Sequence, residues 1–361
     1  MFDKILFGFI LLLSTIWLPN ISQGSLQLLV FNYGTMTLFA VGIILQEKRK
    51  FTNYSLPLIL SISIVLTLIR TPKCFTVGLL NILFCCMFYY VVVRNTVDIS
   101  RVLRCFKWLF WFNIPFVILQ AMGIQLVYMA PSPAPLICGV MAKNYHLGFL
   151  LAIIAPILAG ESLLYFVLIG IILLLIKSWA AYLAFITGMM VYLYMRFEKK
   201  SIRVSIISGS ILLFISGVSM LFYHPVKFNV RFSGWVDTLK DSLKNPVIGN
   251  GIGALQVYLD RSMCQLGGVI TQYLNNDYLT ILFEYGLLFV LAISYFIFRY
   301  YSGLIIKKCN DNIPKGLLAS ITAMLIIPFF HKVMDIPRIA VPMLLILALF
   351  EISLLDKKEA V

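Results

Sequence analysis

Two carboxylates and a hydroxyl share one face of a predicted helix in the last third of the chain. Asp277, Thr280 and Glu284 follow one another at spacings of three and four residues, which puts them on the same side of an α-helix. At a rise of about 1.5 Å per residue, Glu284 lies about 10 Å along the helix from Asp277. A carboxylate in such a stripe can take a proton from a substrate hydroxyl. A structural role is equally open, in which Asn276 or Asp277 caps the helix and Glu284 bonds to a neighbouring helix.

Several basic residues occupy the polar stretches of the chain and favour an anionic ligand. One arginine side chain can donate two parallel hydrogen bonds to the oxygens of a phosphate, and lysine supplies a compact positive charge. The candidates are Lys143, Lys227, Arg231, Lys240, Lys244, Arg261, Lys332 and Arg338, and the turn from His331 to Arg338 can close over the same site. Each one taken singly is also explained as a solvated surface charge, and Lys177, between two apolar runs, as a lysine that marks a membrane interface. As a group they predict a basic pocket that suits a diphosphate.

Residues 245–253 contain three glycines at alternate positions, Gly249, Gly251 and Gly253. Glycine permits sharp turns with positive φ, and amide groups in such turns can bind an anion. The spacing is not that of a dinucleotide-binding loop, because no strand–helix–strand unit surrounds it. The simpler interpretation is a turn that joins an amphipathic segment, residues 236–243, to the next helix.

The composition indicates the class of protein to which these residues belong. Of 361 residues, 61% are hydrophobic and 12% are charged, whereas soluble domains average about 45–50% apolar and about 25% charged residues. An integral membrane protein is therefore predicted. The formal net charge of +14 does not favour nucleic acid, because the basic residues lie between apolar runs and no basic face is interleaved with aromatic residues.

Twelve apolar runs are candidates for membrane-spanning helices, each of which needs about 20 residues, with a range of about 17–25. We expect an all-α, polytopic integral membrane helical bundle, a single transmembrane domain over residues 1–361 with about 12 transmembrane helices. The expected spans are 4–20, 26–45, 54–70, 75–93, 106–128, 144–160, 162–177, 178–196, 204–223, 277–298, 314–330 and 339–355. The division between 162–177 and 178–196 depends on Lys177 alone.

The basic residues also predict the orientation of the bundle. With a cytoplasmic N-terminus and all spans present, 18 of the 29 Lys and Arg residues lie inside, and 5 of the 11 outside lie in one long loop that the rule does not count. Residues 223–276 are then a large extracytoplasmic, periplasmic loop. No small-residue cleavage site follows the first apolar run, which predicts a retained helix.

The order of the polar motifs resembles the O-antigen ligase and polymerase superfamily. The motifs are Arg231 with Trp235, Asn245-Pro246 with Gly249 and Gly251, and Asn276-Asp277-Tyr278-Leu279 with Glu284 and Gly286. The stretch from Lys143 to Gly148 and the stretch Lys177-Ser178-Trp179-Ala180 are similar to two further segments of that family. The resemblance covers roughly 140–290.

The resemblance implies a glycosyltransferase that needs no metal and no cofactor. Its donor is an oligosaccharide linked to undecaprenyl diphosphate, and an acceptor hydroxyl displaces the lipid diphosphate. Arg231 is the first candidate for stabilising the leaving diphosphate. Asp277 or Glu284 takes the proton. Substrate contacts are expected from Lys143, Lys177, Trp235, Asn275, Asn276, His331 and Arg338.

One departure from the family pattern favours a polymerase over a ligase. Ligases of the family carry His where this chain has Asn275, and Asn cannot act as a general base. The expected protein is a polymerase of lipid-linked repeat units in the bacterial cytoplasmic membrane, with its site facing the outside. A ligase acting on lipid A core and a flippase of lipid-linked sugars are the alternatives. Membrane lipid, a chain-length regulator and a flippase are candidate partners, and nucleic acid is not.

Overall fold

A computed structural model describes most of the chain as α-helix. The residues that it describes are 2–15, 34–38, 40–41, 76–95, 97–124, 137–141, 143–205, 207–209, 211, 215, 225–251, 254–255, 276–306, 312–331 and 337–359. These ranges contain helices and turns and no β-strand, so the described part of the protein is all-helical, as the sequence predicts.

The helices are numbered in chain order. They are α1 (Phe2–Thr15), α2 (Thr76–Arg94), α3 (Ile99–Ala121), α4 (Asn144–Glu161), α5 (Leu164–Ile176), α6 (Trp179–Arg196), α7 (Pro225–Ser242), α8 (Asp277–Ile306), α9 (Asn312–Ile326) and α10 (Pro337–Glu359). A single 3₁₀ turn, Ile327–Phe329, extends α9.

Small residues bring α4, α6 and α9 close together at the centre of the described bundle. A Cβ atom on Gly188 of α6 would lie 2.9 Å from Ala323 Cβ and 3.0 Å from the Ala319 carbonyl oxygen, both on α9. A Cβ on Gly148 of α4 would lie 2.8 Å from Ala181 Cβ on α6. Helices that carry Gly and Ala at their contact can approach until their backbones nearly touch. These three helices therefore form a tight core on which the other elements pack.

Paired contacts fix the relative directions of the central helices. Gly148 meets Ala181 near the start of α4 and α6, and Arg196 Nη1 donates to the Ala159 carbonyl, at 3.2 Å, near their ends. These two helices therefore run parallel. Helix α9 runs the opposite way, because its residue Gly316 lies against Ile157 near the end of α4.

Two buried amides attach the segment before α4 to α3. The Gln120 Oε1 atom accepts from the backbone amides of Cys138 at 2.8 Å and Gly139 at 2.9 Å, and its Nε2 donates to the Gly139 carbonyl at 2.9 Å. Seven residues earlier, Asn113 Oδ1 accepts from the Val140 amide at 3.1 Å. Buried polar backbone must find partners inside the protein. These amides hold residues 138–140 in place and so fix where α4 begins.

Most helix boundaries lie near the expected spans, and the start of α3 differs for an identifiable reason. Helix α3 begins at Ile99 rather than 106, because Asp98 caps it by accepting from the Arg101 amide at 3.3 Å. The predicted division at Lys177 is confirmed, since α5 ends there in a left-handed residue with φ 56° and α6 starts two residues later.

The span count and the membrane sides stay predictions. By length and composition, two described helices, α3 and α4, are long and apolar enough to cross a membrane. Four shorter apolar helices lie at Leu83–Arg94, Leu164–Ile176, Ile313–Phe329 and Ile339–Ser353. The expected span 54–70 lies outside the described residues, and 26–45 and 204–223 are described only in part.

Replacing Gln120 with Ala should destabilise the fold measurably. The change leaves two backbone amides and one carbonyl of a buried segment without their partners, at a cost of about 1–3 kcal/mol for such a group. Denaturant unfolding in detergent micelles measures the loss. Ile118→Ala, on the exposed side of the same helix, is the matched control. Equal stability of the two variants would show that the amide contact contributes nothing.

Candidate functional site

Helix α8 is broken at Gly286. This residue has φ 76° and ψ −177°, a conformation that only glycine adopts at low cost, and regular helix lies on both sides of it. A break of this kind removes the helical bonds from the amides of Leu287 and Leu288 to the carbonyls of Phe283 and Glu284. Four backbone groups in an apolar helix therefore need other partners.

Residues 245–251, here called the break loop, supply those partners. The carbonyl of Phe283 accepts from the Asn250 amide at 2.8 Å, and that of Glu284 accepts from the Gly251 amide at 2.9 Å. On the other side of the break, the Leu287 amide donates to the Pro246 carbonyl at 2.7 Å, and the Leu288 amide donates to the Val247 carbonyl at 3.3 Å. The loop and the broken helix are thus one hydrogen-bonded unit.

Two glycines allow the loop to approach the helix this closely. A Cβ on Gly249, which has φ 75°, would lie 2.5 Å from the Glu284 carbonyl oxygen. A Cβ on Gly286 would lie 2.5 Å from both the Gly249 amide nitrogen and the Val247 oxygen. The predicted positive φ is confirmed at Gly249 and Gly251, and the glycines serve backbone contact.

Asparagine side chains reinforce the same unit. The Asn245 Nδ2 atom donates to Asn250 Oδ1 at 2.8 Å, and Asn250 Nδ2 donates to the Phe283 carbonyl at 3.1 Å. The Phe283 oxygen therefore accepts from both the amide and the side chain of Asn250. The sequence analysis did not single out Asn250, although its position between Gly249 and Gly251 is a signal that could have identified it.

Helix α7 joins this unit through Trp235. The indole packs against the buried pair Leu255 and Phe283. Its Nε1 atom is buried and has no hydrogen-bond partner among the described residues. Arg231 lies one turn earlier on the same helix. The expected loop 223–276 thus begins with an 18-residue helix, a feature that sequence reasoning anticipated only as an amphipathic segment.

The start of α8 carries the predicted polar stripe. Asn276 caps the helix, because its Oδ1 accepts from the Leu279 amide at 3.1 Å, and its carbonyl accepts from the Thr280 hydroxyl at 3.0 Å. Asp277 and Glu284 are both buried. Glu284 Oε1 faces the Leu255 amide at 3.4 Å. Asp277 and Glu284 are therefore enclosed by protein, and Glu284 accepts a hydrogen bond from the segment that follows the glycine run.

A second group of predicted residues gathers where α4 begins and α9 ends. The ring of His331 stacks on that of Tyr145, with centroids 4.5 Å apart, and meets Phe149 edge-on at 5.0 Å. Lys143 Nζ lies 5.5 Å from the Tyr145 ring centroid, close enough for a cation–π attraction. Lys143 and His331, distant in sequence, are thus brought together by one aromatic ring that the sequence did not single out.

Lys177 lies next to this group. Asn144 Nδ2 donates to the Ile176 carbonyl at 3.2 Å, so the turn between α5 and α6 lies against the start of α4. The Lys177 side chain is exposed, and its left-handed backbone ends α5. The predicted division between two helices at Lys177 is confirmed, whereas its place at a membrane interface and its contact with substrate stay predictions.

The start of α8 connects the unit formed by the break loop and α8 with the group around Tyr145 and His331. The Tyr278 hydroxyl donates to the Leu325 carbonyl at 2.6 Å, and its ring packs on Phe329 at 4.5 Å, two residues before His331. These contacts bring the turn at Lys177, the rings of Tyr145 and His331, and the start of α8 to the same end of the bundle. This end of the bundle, which contains the starts of α4, α6 and α8 and the end of α9, is called the site end below.

Some predicted site residues are placed only in part. Asn275 lies outside the described residues. Arg231 and Arg338 lie on α7 and α10, and their contacts with a substrate stay predictions. Among the described ranges, no three His, Cys, Asp or Glu side chains come together in a group that could hold a metal ion.

Comparison with known proteins adds no relative. No family model matches the chain, and no curated protein matches it. Its class is therefore defined by its own structure as an all-helical protein with helices of a length and composition suited to a membrane.

Gly249→Ala should disrupt the unit formed by the break loop and α8. A non-glycine residue at such a φ costs on the order of 1–3 kcal/mol, and the added Cβ also overlaps the Glu284 carbonyl. Hydrogen–deuterium exchange should speed up at the amides of Asn250, Gly251, Leu287 and Leu288 and stay unchanged in α4. Gly8→Ala, where a Cβ meets nothing within 4 Å, is the control. Unchanged exchange in Gly249→Ala would contradict the proposed need for glycine.

Proposed function

We propose that the protein is a membrane glycosyltransferase that polymerises oligosaccharide repeat units carried on undecaprenyl diphosphate, with its site on the outer side of the bacterial cytoplasmic membrane. The reaction joins the reducing-end sugar of one lipid-linked chain to a hydroxyl of another lipid-linked unit. It needs no metal and no cofactor. The contribution of the protein is to bind an anionic leaving group and to accept a proton.

The observation that carries this proposal is the contact between the break loop and the broken helix. It joins α7, which bears Arg231 and Trp235, to α8, which bears Asp277 and Glu284. The helix that bears Arg231 and the helix that bears the two carboxylates are thereby joined in one hydrogen-bonded and packed unit. Group transfer from a diphosphate requires this combination, a cation at the leaving group and a base at the nucleophile.

Each residue has a distinct role in the proposed step. The acceptor oxygen attacks the anomeric carbon, and the bond from that carbon to the phosphate oxygen breaks. Arg231 stabilises the negative charge that develops on the departing diphosphate, with Lys143, Lys177 and Arg338 as further cationic contacts. The acceptor proton passes to a carboxylate. Trp235, Asn275, Asn276 and His331 contact the sugars, and the buried indole N–H of Trp235 offers a hydrogen-bond donor.

Asp277 is the better of the two candidates for the proton acceptor. It stands at the first turn of α8, at the site end, two residues after Asn275, where related ligases carry His. Glu284 lies two turns further along, and one of its oxygens faces the Leu255 amide. We therefore assign Glu284 a positioning role and Asp277 the chemical one.

Complementation of a deletion strain tests the function. A strain that lacks a polymerase should display surface glycan of a single repeat unit, and the wild-type chain should restore the ladder of longer products. Arg231→Ala should insert normally and fail to restore the ladder, because the leaving diphosphate loses its main cation. Lys240→Ala, an exposed lysine on the same helix, should restore it.

Other products would overturn the assignment. Long glycan stranded on the carrier lipid in the deletion strain is the result expected of a ligase. Repeat units retained in the cytoplasmic leaflet are the result expected of a flippase. A normal ladder with Arg231→Ala would remove Arg231 from the site.

Two isosteric changes separate the roles of the carboxylates. Asp277→Asn should lower the rate of chain extension by about 10²–10⁴-fold, the usual contribution of a general base. Glu284→Gln keeps an oxygen that can accept from the Leu255 amide, so it should extend chains within a few-fold of wild type. Purified variants with lipid-linked repeat units provide the rates. The reverse pattern, with Glu284→Gln inactive and Asp277→Asn active, would exchange the two assignments.

A further inference from the structure

One side of α7 exposes a line of apolar side chains. Phe232, Leu239 and Leu243 are exposed, the last at 68%, and Val236 between them is partly exposed. Their spacings of four, three and four residues place them on one narrow stripe of the helix. Val247, just past the end of the helix, is exposed as well. This line from Phe232 to Val247 is called the apolar stripe.

The other sides of α7 are accounted for. Trp235, Thr238 and Ser242 form the side that faces the protein, where Thr238 and Ser242 are buried. The remaining side is charged, with an exposed ion pair between Lys240 and Asp237 at 3.7 Å and a second pair between the exposed Lys244 and the partly buried Asp241 at 2.5 Å. The helix thus has a protein side, a water side and an apolar side whose leucines Leu239 and Leu243 are exposed.

The apolar stripe ends beside the exposed face of a long apolar helix. Pro246 and Val247 accept from the amides of Leu287 and Leu288, and both leucines are exposed. The exposed face continues along α8 through Leu291, Tyr295 and Phe298. From Leu287 to Ile306 the second half of α8 has 20 residues, which at about 1.5 Å each equals the thickness of the hydrocarbon core, about 30 Å.

The apolar stripe and the exposed face of α8 meet at the break in α8, and this position suits a membrane boundary. The second half of α8 has the length of one membrane crossing and begins at the break, which predicts that the break lies at the level of the membrane surface. The break loop joins the end of α7 to that position. An apolar stripe there is expected to face the outer part of the lipid acyl chains.

We propose that α7 is an interfacial helix whose apolar stripe is inserted into the lipid bilayer at the mouth of the site. In this arrangement the apolar stripe contacts the acyl-chain region of the membrane. Residues 225–244 carry four basic and two acidic side chains, a net charge of +2, which favours a surface of anionic lipids. The proposal goes beyond the glycosyl transfer proposed above, since it depends only on the exposed surface and its continuity with α8.

This arrangement has a consequence for access to the site. A helix in the interface holds its protein side, which includes Trp235 and the position of Arg231, at the level of the lipid headgroups. A diphosphate attached to a membrane lipid lies at that same level. A lipid-borne anion therefore reaches α7 without leaving the bilayer.

Spin labels on the full chain test the proposal. Leu239, Leu243 and, as control, Asp237 on the water side are each replaced by p-acetylphenylalanine and labelled with a nitroxide, which leaves the native cysteines unchanged. The protein is reconstituted in nanodiscs of phosphatidylethanolamine and phosphatidylglycerol. Power saturation with oxygen, which partitions into lipid, and with a water-soluble nickel chelate gives the depth of each label. Labels at 239 and 243 should lie roughly 5–10 Å below the headgroup boundary, and the label at 237 should lie in water.

Two results would overturn the proposal. Labels at 239 and 243 that the nickel chelate reaches as readily as the label at 237 would show that the stripe faces water. Labels that neither oxygen nor nickel reaches would show that protein covers the stripe, whether another segment of this chain or a second copy. Two labels one turn apart guard against a local disturbance, because both must give the same depth. None of these outcomes depends on glycosyl transfer, so this proposal and the proposed function can fail separately.

Discussion

Backbone hydrogen bonding in an apolar environment is the constraint on which the site depends. A helix that breaks at Gly286 exposes two carbonyls and two amides, and each such group left unpaired in a buried position costs about 1–3 kcal/mol. The break loop provides one partner for each of the four. The polar loop is consequently fixed to the helix by main-chain atoms, and Gly249 is required because a side chain there would keep the two backbones apart. The positions of the Trp235 side chain and of the Glu284 carboxylate follow from this contact.

The sequence predicted those features that local chemistry determines. Long apolar runs and helix-compatible residues predicted the all-helical class and the bounds of α2 and α4 within one or two residues. A lysine between two apolar runs predicted the division at Lys177. Asparagine before an apolar helix predicted the cap at Asn276, and alternate glycines predicted positive φ at Gly249 and Gly251. Each of these depends on neighbours within a few residues, which a sequence displays directly.

Features that depend on distant partners were not predicted. Hydropathy does not register a break inside an apolar run, so Gly286 was read only as part of a motif. Gln120 looks like an isolated polar residue until the backbone of residues 138–140 is placed against it. Tyr145 brings Lys143 and His331 together only because α9 runs antiparallel to α4. Such contacts join segments separated by 18 to 186 residues in the chain, and no local pattern encodes them.

The position of the break loop in the chain also bears on how the protein is made. Residues 245–251 precede α8 in the chain and are synthesised first. When the broken helix forms, the hydrogen-bond partners of its two carbonyls and two amides therefore already exist. In the reverse order, those four backbone groups would stay without partners until later residues were made. The order of the two segments along the chain thus shortens the time for which the break is unsatisfied during synthesis.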